Sequence, residues 1–299
     1  MTENEFLLED RLAKIKAIID EYGEDNFVIS FSGGKDSTIL SHLIDLALPN
    51  NKIPRVYINT GIEYKMMVDY VKGLQKLDDR IVIIQPSKNI QKVLQENGYP
   101  FKSKEHSLYV SVYQNIGNKS KTVERYLHPS EKRKAYGCRD DLKYQFTPEF
   151  KLKLSSKCCD KLKKEPFRKW CKENGRTINI TGVRATERGL RGIKSKCTVF
   201  VNNKLKSFQP LSPIREDWIN WFIDKYQIRL CDLYYEPYNF KRTGCKGCPF
   251  NPRLQDDLDL MEQLLPNEYT QCERIWKPVY EEYRKINYRL KRKKEEEID

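Results

Sequence analysis

Short apolar runs alternate with segments of helical periodicity along the first hundred residues. The runs of strand length are Phe27–Phe31, Arg55–Asn59 and Ile81–Gln85, and a fourth, Thr177–Thr181, follows much later. Between them, apolar positions recur three and four residues apart, which predicts helices. Strands that alternate with helices are typical of βαβ units. We therefore expect an α/β fold with a parallel sheet and helices on both of its faces.

Helical spacing extends beyond these runs. It predicts helices over residues 6–22, 38–48, 64–77, 89–97 and 216–226, and a helical tail from residue 254 that Pro266 and Pro278 interrupt. The segment at about 102–172 breaks the alternation, and its lysine-rich, aromatic sequence predicts a helical insertion. The apolar runs are too short to span a membrane, and the acidic N-terminus does not resemble a secretory signal. We expect a cytoplasmic protein without a membrane partner.

The net charge adds a second constraint. The 299 residues include 55 Lys and Arg against 42 Asp and Glu, a formal charge of +13. Such an excess favours polyanionic partners, although it also serves solubility. Basic residues alternate with tyrosines in the insertion, at Lys102, Lys104, Tyr109, Tyr113, Lys119, Lys121, Arg125, Tyr126, Lys132, Arg133, Lys134, Tyr136 and Arg139. A groove that binds tRNA or DNA has this composition, and so does an ordinary helical surface with tyrosine anchors.

A glycine- and hydroxyl-rich hexapeptide lies between the first predicted strand and a helix. Its residues are Ser32, Gly33, Gly34, Lys35, Asp36 and Ser37. Two glycines let the backbone approach an anion, and amides at a helix N-terminus point toward it. The loop is not of the Walker form, which has four residues between its glycines. The pattern predicts a phosphate-binding loop, with a serine-capped tight turn as the alternative.

Clustered cysteines in a cytoplasmic chain favour metal or redox chemistry over disulfides. Cys158 and Cys159 are adjacent, and Cys245 and Cys248 enclose a Lys-Gly turn. Two thiolate pairs suit zinc or a [4Fe-4S] cluster, and the spacing alone does not distinguish these. Buried small hydrophobes are the alternative. That alternative is expected for Cys171, Cys197 and Cys231, whereas no role is predicted for Cys138 and Cys272.

Several motifs between about residues 25 and 252 together resemble a known family. The loop at 32–37 resembles the PP-loop of the adenine nucleotide α-hydrolase-like superfamily. Residues 59–64, 181–187 with the arginines that follow, and 209–213 resemble the phosphoadenosine phosphosulfate (PAPS) reductase branch. The cysteine pattern is similar to the [4Fe-4S] ligands of assimilatory adenylyl-sulfate reductases and of the sulfur-inserting proteins of DNA phosphorothioation.

The resemblance implies a set of site residues. Those implied to bind an adenine nucleotide, ATP with Mg²⁺ or an adenylyl sulfate, are Ser32, Gly33, Gly34, Lys35, Asp36, Ser37, Asn59, Thr60, Gly61, Glu63, Gly182, Arg184, Arg188 and Arg191. Among these, Lys35, Asp36 and Arg184 would be catalytic. The implied cluster ligands are Cys158, Cys159, Cys245 and Cys248.

Two departures from the reductase pattern bear on the activity. The chain ends in Lys-Lys-Glu-Glu-Glu-Ile-Asp, whereas thiol-dependent reductases carry a cysteine in a Glu-Cys-Gly-Leu-His-like tail. Many reductases have also lost the PP-loop lysine, and Lys35 is present here. Both departures favour ATP-dependent sulfur transfer, with nucleic acid as the expected acceptor and an unidentified sulfur or electron donor. The alternatives are reduction of adenylyl sulfate or its 3′-phosphate to sulfite, and a non-catalytic nucleic-acid-binding module.

The implied fold is Rossmann-like, with a parallel sheet. We expect a nucleotide-binding domain over residues 1–252 that contains the helical, cysteine-bearing insertion, and a helical C-terminal extension over residues 253–299.

Overall fold

A six-stranded sheet is formed by the described residues of the computed structural model, which are 1–117, 120–185 and 196–291. Its strands are β1 (Phe27–Phe31), β2 (Arg55–Ile58), β3 (Ile81–Ile84), β4 (Ile178–Ile180), β5 (Thr198–Val201) and β6 (Lys204–Phe208). They lie in the order β3-β2-β1-β4-β6-β5. All neighbours are parallel except β5 and β6, which form an antiparallel edge. The predicted α/β fold with a parallel sheet is confirmed.

The helices follow the predicted pattern closely. They are α1 (Glu3–Tyr22), α2 (Lys35–Ala47), α3 (Lys65–Leu77), α4 (Ile90–Asn97), α5 (Lys104–Ile116), α6 (Lys121–Leu127), α7 (Glu165–Glu173), α8 (Glu216–Tyr226), α9 (Leu254–Leu264) and α10 (Pro266–Lys285). None of the described helices is long and apolar enough to cross a membrane.

The prediction that Pro278 interrupts the tail is wrong. Pro266 begins α10, where its missing N–H group costs nothing, but α10 then continues through Pro278 to Lys285. The flanking side chains of Trp276, Val279 and Tyr280 are buried. Their packing outweighs the loss of one backbone hydrogen bond.

The described residues divide into two compact units that interleave along the sequence. The first contains residues 1–59 and 63–86 and the described part of 165–244. The second contains residues 60–62 and the described parts of 87–164 and 245–299. The domain boundary expected after residue 252 stays a prediction.

The core of the first unit lies between the sheet and the helices α1, α2 and α8. Ile29 of β1, Leu40 of α2 and Phe222 of α8 are fully buried members of one hydrophobic cluster. The cluster fixes β1 against α2, and the segment that joins these two elements carries the predicted phosphate loop. The geometry of that loop is therefore set by a rigid support on both sides.

The second unit is mostly helical and contains the helices α4–α6, α9 and α10. Its buried polar residues include His106, which is hydrogen-bonded to the Tyr126 hydroxyl at 2.9 Å and to the Gln145 amide oxygen at 2.8 Å. Cys138, for which no role was predicted, is buried in the same unit, and its N–H donates to the Tyr126 carbonyl oxygen.

Candidate functional site

The loop at residues 32–37 leaves the carboxyl end of β1 and enters α2 at Lys35. Ser37 Oγ accepts a hydrogen bond from the Ser32 N–H at 3.2 Å and lies 3.0 Å from Ser32 Oγ. Gly33 has a φ of +70°, and a Cβ there would collide with Met67. Glycine is required at this position for both reasons. The result is a tight turn whose amides lie at a helix N-terminus, the geometry that the sequence predicts for an anion site.

Three charged residues predicted to act together are brought together at this loop. Arg184 Nε lies 3.1 Å from Asp36 Oδ1. Arg184 Nη2 lies 2.6 Å from Glu216 Oε2, and the other carboxylate oxygen of Glu216 is paired with Lys35 Nζ. Glu216 thus joins Lys35 to Arg184, and Arg184 in turn pairs with Asp36.

Sequence analysis does not identify Glu216 as a site residue, because an acidic residue in the first turn of a helix is ordinarily explained by the helix dipole. It lies in the first turn of α8, and its side chain is 52% exposed. Partial burial would raise its pKa, but the hydrogen bonds and charges of Lys35 and Arg184 outweigh that effect and lower it. Glu216 is therefore an ionised carboxylate held between two cations.

Tyr234 is a second residue that the sequence did not reveal. Its hydroxyl accepts a hydrogen bond from the Lys35 N–H at 3.0 Å and lies 2.7 Å from Thr243 Oγ1. Burial raises the pKa of the phenol, so the hydroxyl stays protonated. Tyr234 lies more than 190 residues from the loop in sequence, and no motif surrounds it.

The remaining predicted nucleotide-site residues fall in three places. Gly182 follows β4, and a Cβ there would lie 3.0 Å from the Asp36 carbonyl oxygen, so that its backbone packs directly on the loop. Asn59 follows β2 and belongs with Glu63 to the first unit, whereas Thr60 and Gly61 belong to the second. The expectations for Arg188 and Arg191 lie outside the described residues.

All four predicted thiol ligands belong to the second unit. Cys158 and Cys159 lie in the helical turn that precedes the π-helical segment Asp160–Lys164. Cys245 and Cys248 lie in the loop before α9, where the Cys248 N–H bonds to the Cys245 carbonyl oxygen at 3.3 Å. Residues separated by 86 positions are thus in one unit.

The ionisation of these thiols is mutually dependent. A hydrogen bond with Cys159 and burial raise the pKa of Cys158, and the charges of Cys248 and Cys245 raise it further. Its partner is affected in the opposite direction: the hydrogen bond from Cys158, helped by Lys104, lowers the pKa of Cys159 to about 6. Burial raises the pKa of Cys248 to about 12, with added repulsion from Cys245. The charges of these thiols therefore influence one another. Cys158 is buried, and the other three are partly buried.

Four thiols are a donor set suited to zinc or to a [4Fe-4S] cluster. As the side chains stand in the described ranges, no group of three or more His, Cys, Asp or Glu residues is placed to hold a metal ion. The chemistry of the donor set nevertheless fits such a group.

The loop that carries Cys245 and Cys248 is held by side chains of α10. Three buried side chains donate hydrogen bonds to main-chain carbonyl groups in the loop and directly after it. These hydrogen bonds run from Trp276 Nε1 to Lys246 (3.2 Å), from the Tyr280 hydroxyl to Gly247, and from the Tyr283 hydroxyl to Pro249 (2.8 Å). Because the donors are spaced along one helical face, α10 fixes the loop that carries two of the predicted ligands.

The side chains of the same loop are also anchored. Lys246 Nζ lies 2.8 Å from Glu268 Oε2, and both side chains are largely buried. A Cβ at Gly247, whose φ is +60°, would collide with the Tyr280 hydroxyl and lie 2.8 Å from Cys272 Sγ. Cys272, without a predicted role, thus packs against the loop; burial raises the pKa of its thiol to about 12.

Most of the basic residues singled out in the insertion are exposed, whereas Lys102 is partly buried. Lys132, Arg133 and Lys134 lie in the 3₁₀ segment Glu131–Tyr136, in which every residue is solvent-exposed. Lys119 lies outside the described residues. Tyr126 is buried and bonded to His106, so it is not available to stack on a base. Tyr136 is 75% exposed and is available.

Comparison with known proteins gives a family match. The family model described as the phosphoadenosine phosphosulfate reductase domain matches residues 26–141 and 112–251. An uncharacterized protein of Methanocaldococcus jannaschii is 33% identical over 104 residues, an alignment that covers 31% of this chain and 25% of that protein. The chain thus spans only a quarter of the length of this curated relative.

Two solved structures illustrate the structural similarity. The phosphoadenylyl-sulfate reductase of Candida auris, a phosphate complex, has 13% sequence identity and a TM-score of 0.42, covering 74% of this chain and 81% of that chain. The FMN adenylyltransferase of Candida glabrata, in complex with FAD and inorganic pyrophosphate, has 14% identity and a TM-score of 0.47, covering 82% of this chain and 65% of that chain.

Proposed function

Since the chain belongs to the phosphoadenosine phosphosulfate reductase domain family, we propose that it is an enzyme that binds an adenine nucleotide at residues 32–37. The observation that carries this proposal is the convergence of Lys35 and Arg184 beside a tight glycine turn at the helix N-terminus. Two cations and a set of amides are what a polyphosphate requires. Asp36 positions Arg184 in this arrangement.

The proposed reaction is ATP-dependent sulfur transfer. An acceptor oxygen attacks the α-phosphorus of ATP, the bond to the β-phosphate breaks, and pyrophosphate leaves. Lys35 and the loop amides stabilise the charge on pyrophosphate, and Mg²⁺ would share in that task. Hydrosulfide then attacks the activated acceptor, its bond to the acceptor oxygen breaks, and AMP leaves with that oxygen. Where the donor is a protein persulfide, its outer sulfur becomes bound to the acceptor through an S–S bond, and a second thiol of the donor protein must cleave that bond, which leaves the donor as a disulfide.

We propose Cys158, Cys159, Cys245 and Cys248 as the ligands of a [4Fe-4S] cluster. The shared ionisation of the thiols and the fixed loop between Cys245 and Cys248 support this. When bound, such a cluster supplies one-electron chemistry. The lowered pKa of Cys159 favours a thiolate, the form that binds iron.

Nucleic acid is the proposed sulfur acceptor. The exposed basic residues Lys132, Arg133 and Lys134 support a polyanionic partner. Exposed cations can neutralise phosphates because no buried ion pair has to be broken first. Reduction of adenylyl sulfate or its 3′-phosphate is the second candidate, favoured by the family name itself.

Calorimetry with nucleotides and product analysis distinguish these activities. We expect Mg-ATP to bind more tightly than adenylyl sulfate, and Lys35→Ala to weaken ATP far more than AMP, because the ammonium group would contact the β- or γ-phosphate. Lys76→Ala, an exposed lysine of α3, is the matched control. Tight binding of adenylyl sulfate or its 3′-phosphate without ATP binding, followed by thiol-dependent sulfite release, would establish the reductase instead.

A further inference from the structure

A protein carboxylate lies between Lys35 of the phosphate loop and Arg184, the two cations of the proposed site. Glu216 presents one carboxylate oxygen to Lys35 Nζ and the other to Arg184 Nη2 at 2.6 Å. A carboxylate and two oxygens of a phosphate group have similar spans, and both make paired charge-assisted hydrogen bonds. The same two cations therefore suit either anion.

We infer that Glu216 is an internal competitor that holds the oxyanion position between Lys35 and Arg184 until a ligand phosphate displaces it. This inference rests on the proposed nucleotide site. It adds the position of one phosphate group of the ligand, and it identifies Glu216 as a residue that limits the affinity of the site for that group. The displaced carboxylate can remain in solvent, because its side chain is already 52% exposed.

The surroundings allow Glu216 to leave while the cations stay in place. Arg184 keeps its second carboxylate partner, Asp36, at 3.1 Å. Lys35 is fixed through its backbone, whose N–H bonds to the Tyr234 hydroxyl. The helix that carries Glu216 is anchored by Trp218, which is 2% exposed. Displacement therefore requires only rotation of the Glu216 side chain, with no movement of α8.

The test is calorimetric titration of the full chain with inorganic pyrophosphate at fixed ionic strength. We expect Glu216→Gln, which keeps the shape and removes the charge, to tighten binding about tenfold, equivalent to about 1.4 kcal/mol. Glu216→Ala, which removes the competing group altogether, should tighten it similarly. Asp217→Asn removes one negative charge from the adjacent exposed residue and should change little, which separates competition from a general change in charge.

A double-mutant cycle makes the inference specific. In a Lys35→Ala background the gain from Glu216→Gln should shrink, because one of the two contested cations is gone. Unchanged or weaker pyrophosphate binding by both Glu216 variants would overturn the competitor role while leaving the nucleotide site intact. Failure of every chain, wild type included, to bind pyrophosphate or ATP would instead overturn the proposed site and this inference with it.

Discussion

The indole N–H of Trp276 donates a hydrogen bond to the main-chain carbonyl oxygen of Lys246 at 3.2 Å. Trp276 is 2% exposed and Lys246 is 5% exposed, so no solvent replaces this bond if it is lost. This hydrogen bond joins α10, the last described helix, to the loop that carries Cys245 and Cys248. Helix α10 is therefore a structural part of the proposed cluster site.

We expect Trp276→Phe to loosen this loop. The substitution keeps an aromatic ring but leaves a buried carbonyl unpaired, at a cost of roughly 1–3 kcal/mol in the free energy of unfolding. Denaturant unfolding checks the loss of stability, and alkylation of Cys245 and Cys248 followed by mass spectrometry should be faster. Trp170→Phe, in the first unit, is the control. Alkylation rates that match the wild type would show that α10 does not fix the loop.

The cluster assignment predicts the metal content of four variants. Anaerobically purified protein should be brown, with roughly four irons per chain, and Cys→Ser at position 158, 159, 245 or 248 should lose iron and colour. Cys171→Ser should retain both, since Cys171 lies in the first unit. Absorption spectra and iron and zinc analysis measure the outcome. Stoichiometric zinc without iron would replace the cluster with a four-thiolate zinc site.

Much of the first unit could be predicted from sequence because its signals are local. Strands β1–β3 are nearly continuous apolar runs, as expected for parallel strands covered on both faces. The hairpin of β5 and β6 was not anticipated. Its strand Lys204–Phe208 places lysine at alternate positions, and its pairing depends on a sheet edge formed by β4, far away in sequence.

The site was predicted only as far as its motifs extend. Lys35 and Arg184 belong to recognisable segments, whereas Glu216 and Tyr234 reach the loop through tertiary packing. The same limit applies to the cysteines. The proposal that the two cysteine pairs form one site rests on the sequence pattern. The hydrogen bond from Trp276 that supports their loop depends on a helix that sequence rules would have ended at Pro278. A hydrogen bond or ion pair between residues far apart in sequence produces no periodic sequence pattern, so sequence analysis does not detect it.

Buried His106 predicts acid sensitivity of the second unit. Burial lowers its pKa from 6.5 to about 4, although the hydrogen bond with Gln145 opposes that effect. Between these values the unfolded chain binds a proton that the folded chain does not, so the free energy of unfolding falls as the pH falls from about 6.5 to about 4. The contribution lost is on the order of 3 kcal/mol.

Denaturant unfolding at several pH values measures this effect. His106→Gln should be less stable at pH 7 but should show a flatter pH dependence over the same window. His128→Gln removes an exposed histidine from the same unit and should leave the pH profile unchanged. A slope in His106→Gln equal to that of the wild type would exclude His106 as the titrating group.

Nucleic-acid binding by the exposed basic segment should depend on salt. A protein that neutralises phosphates releases counterions, so log K falls linearly with log salt, with a slope of about −0.9 per phosphate contact on duplex DNA. Substituting Glu for Lys132, Arg133 and Lys134 should weaken binding of tRNA or DNA. It should also make the slope shallower, by an amount that corresponds to at most three phosphate contacts.

The control is a second triple variant. Substituting Glu for Lys14, Lys16 and Lys76, which are exposed in the first unit, changes the net charge equally and should have a smaller effect. Fluorescence anisotropy from low to high salt gives both slopes. Equal slopes for the two triple variants would show that binding depends only on the net charge and not on this segment. Absence of binding at low salt would contradict the proposal that nucleic acid is the sulfur acceptor.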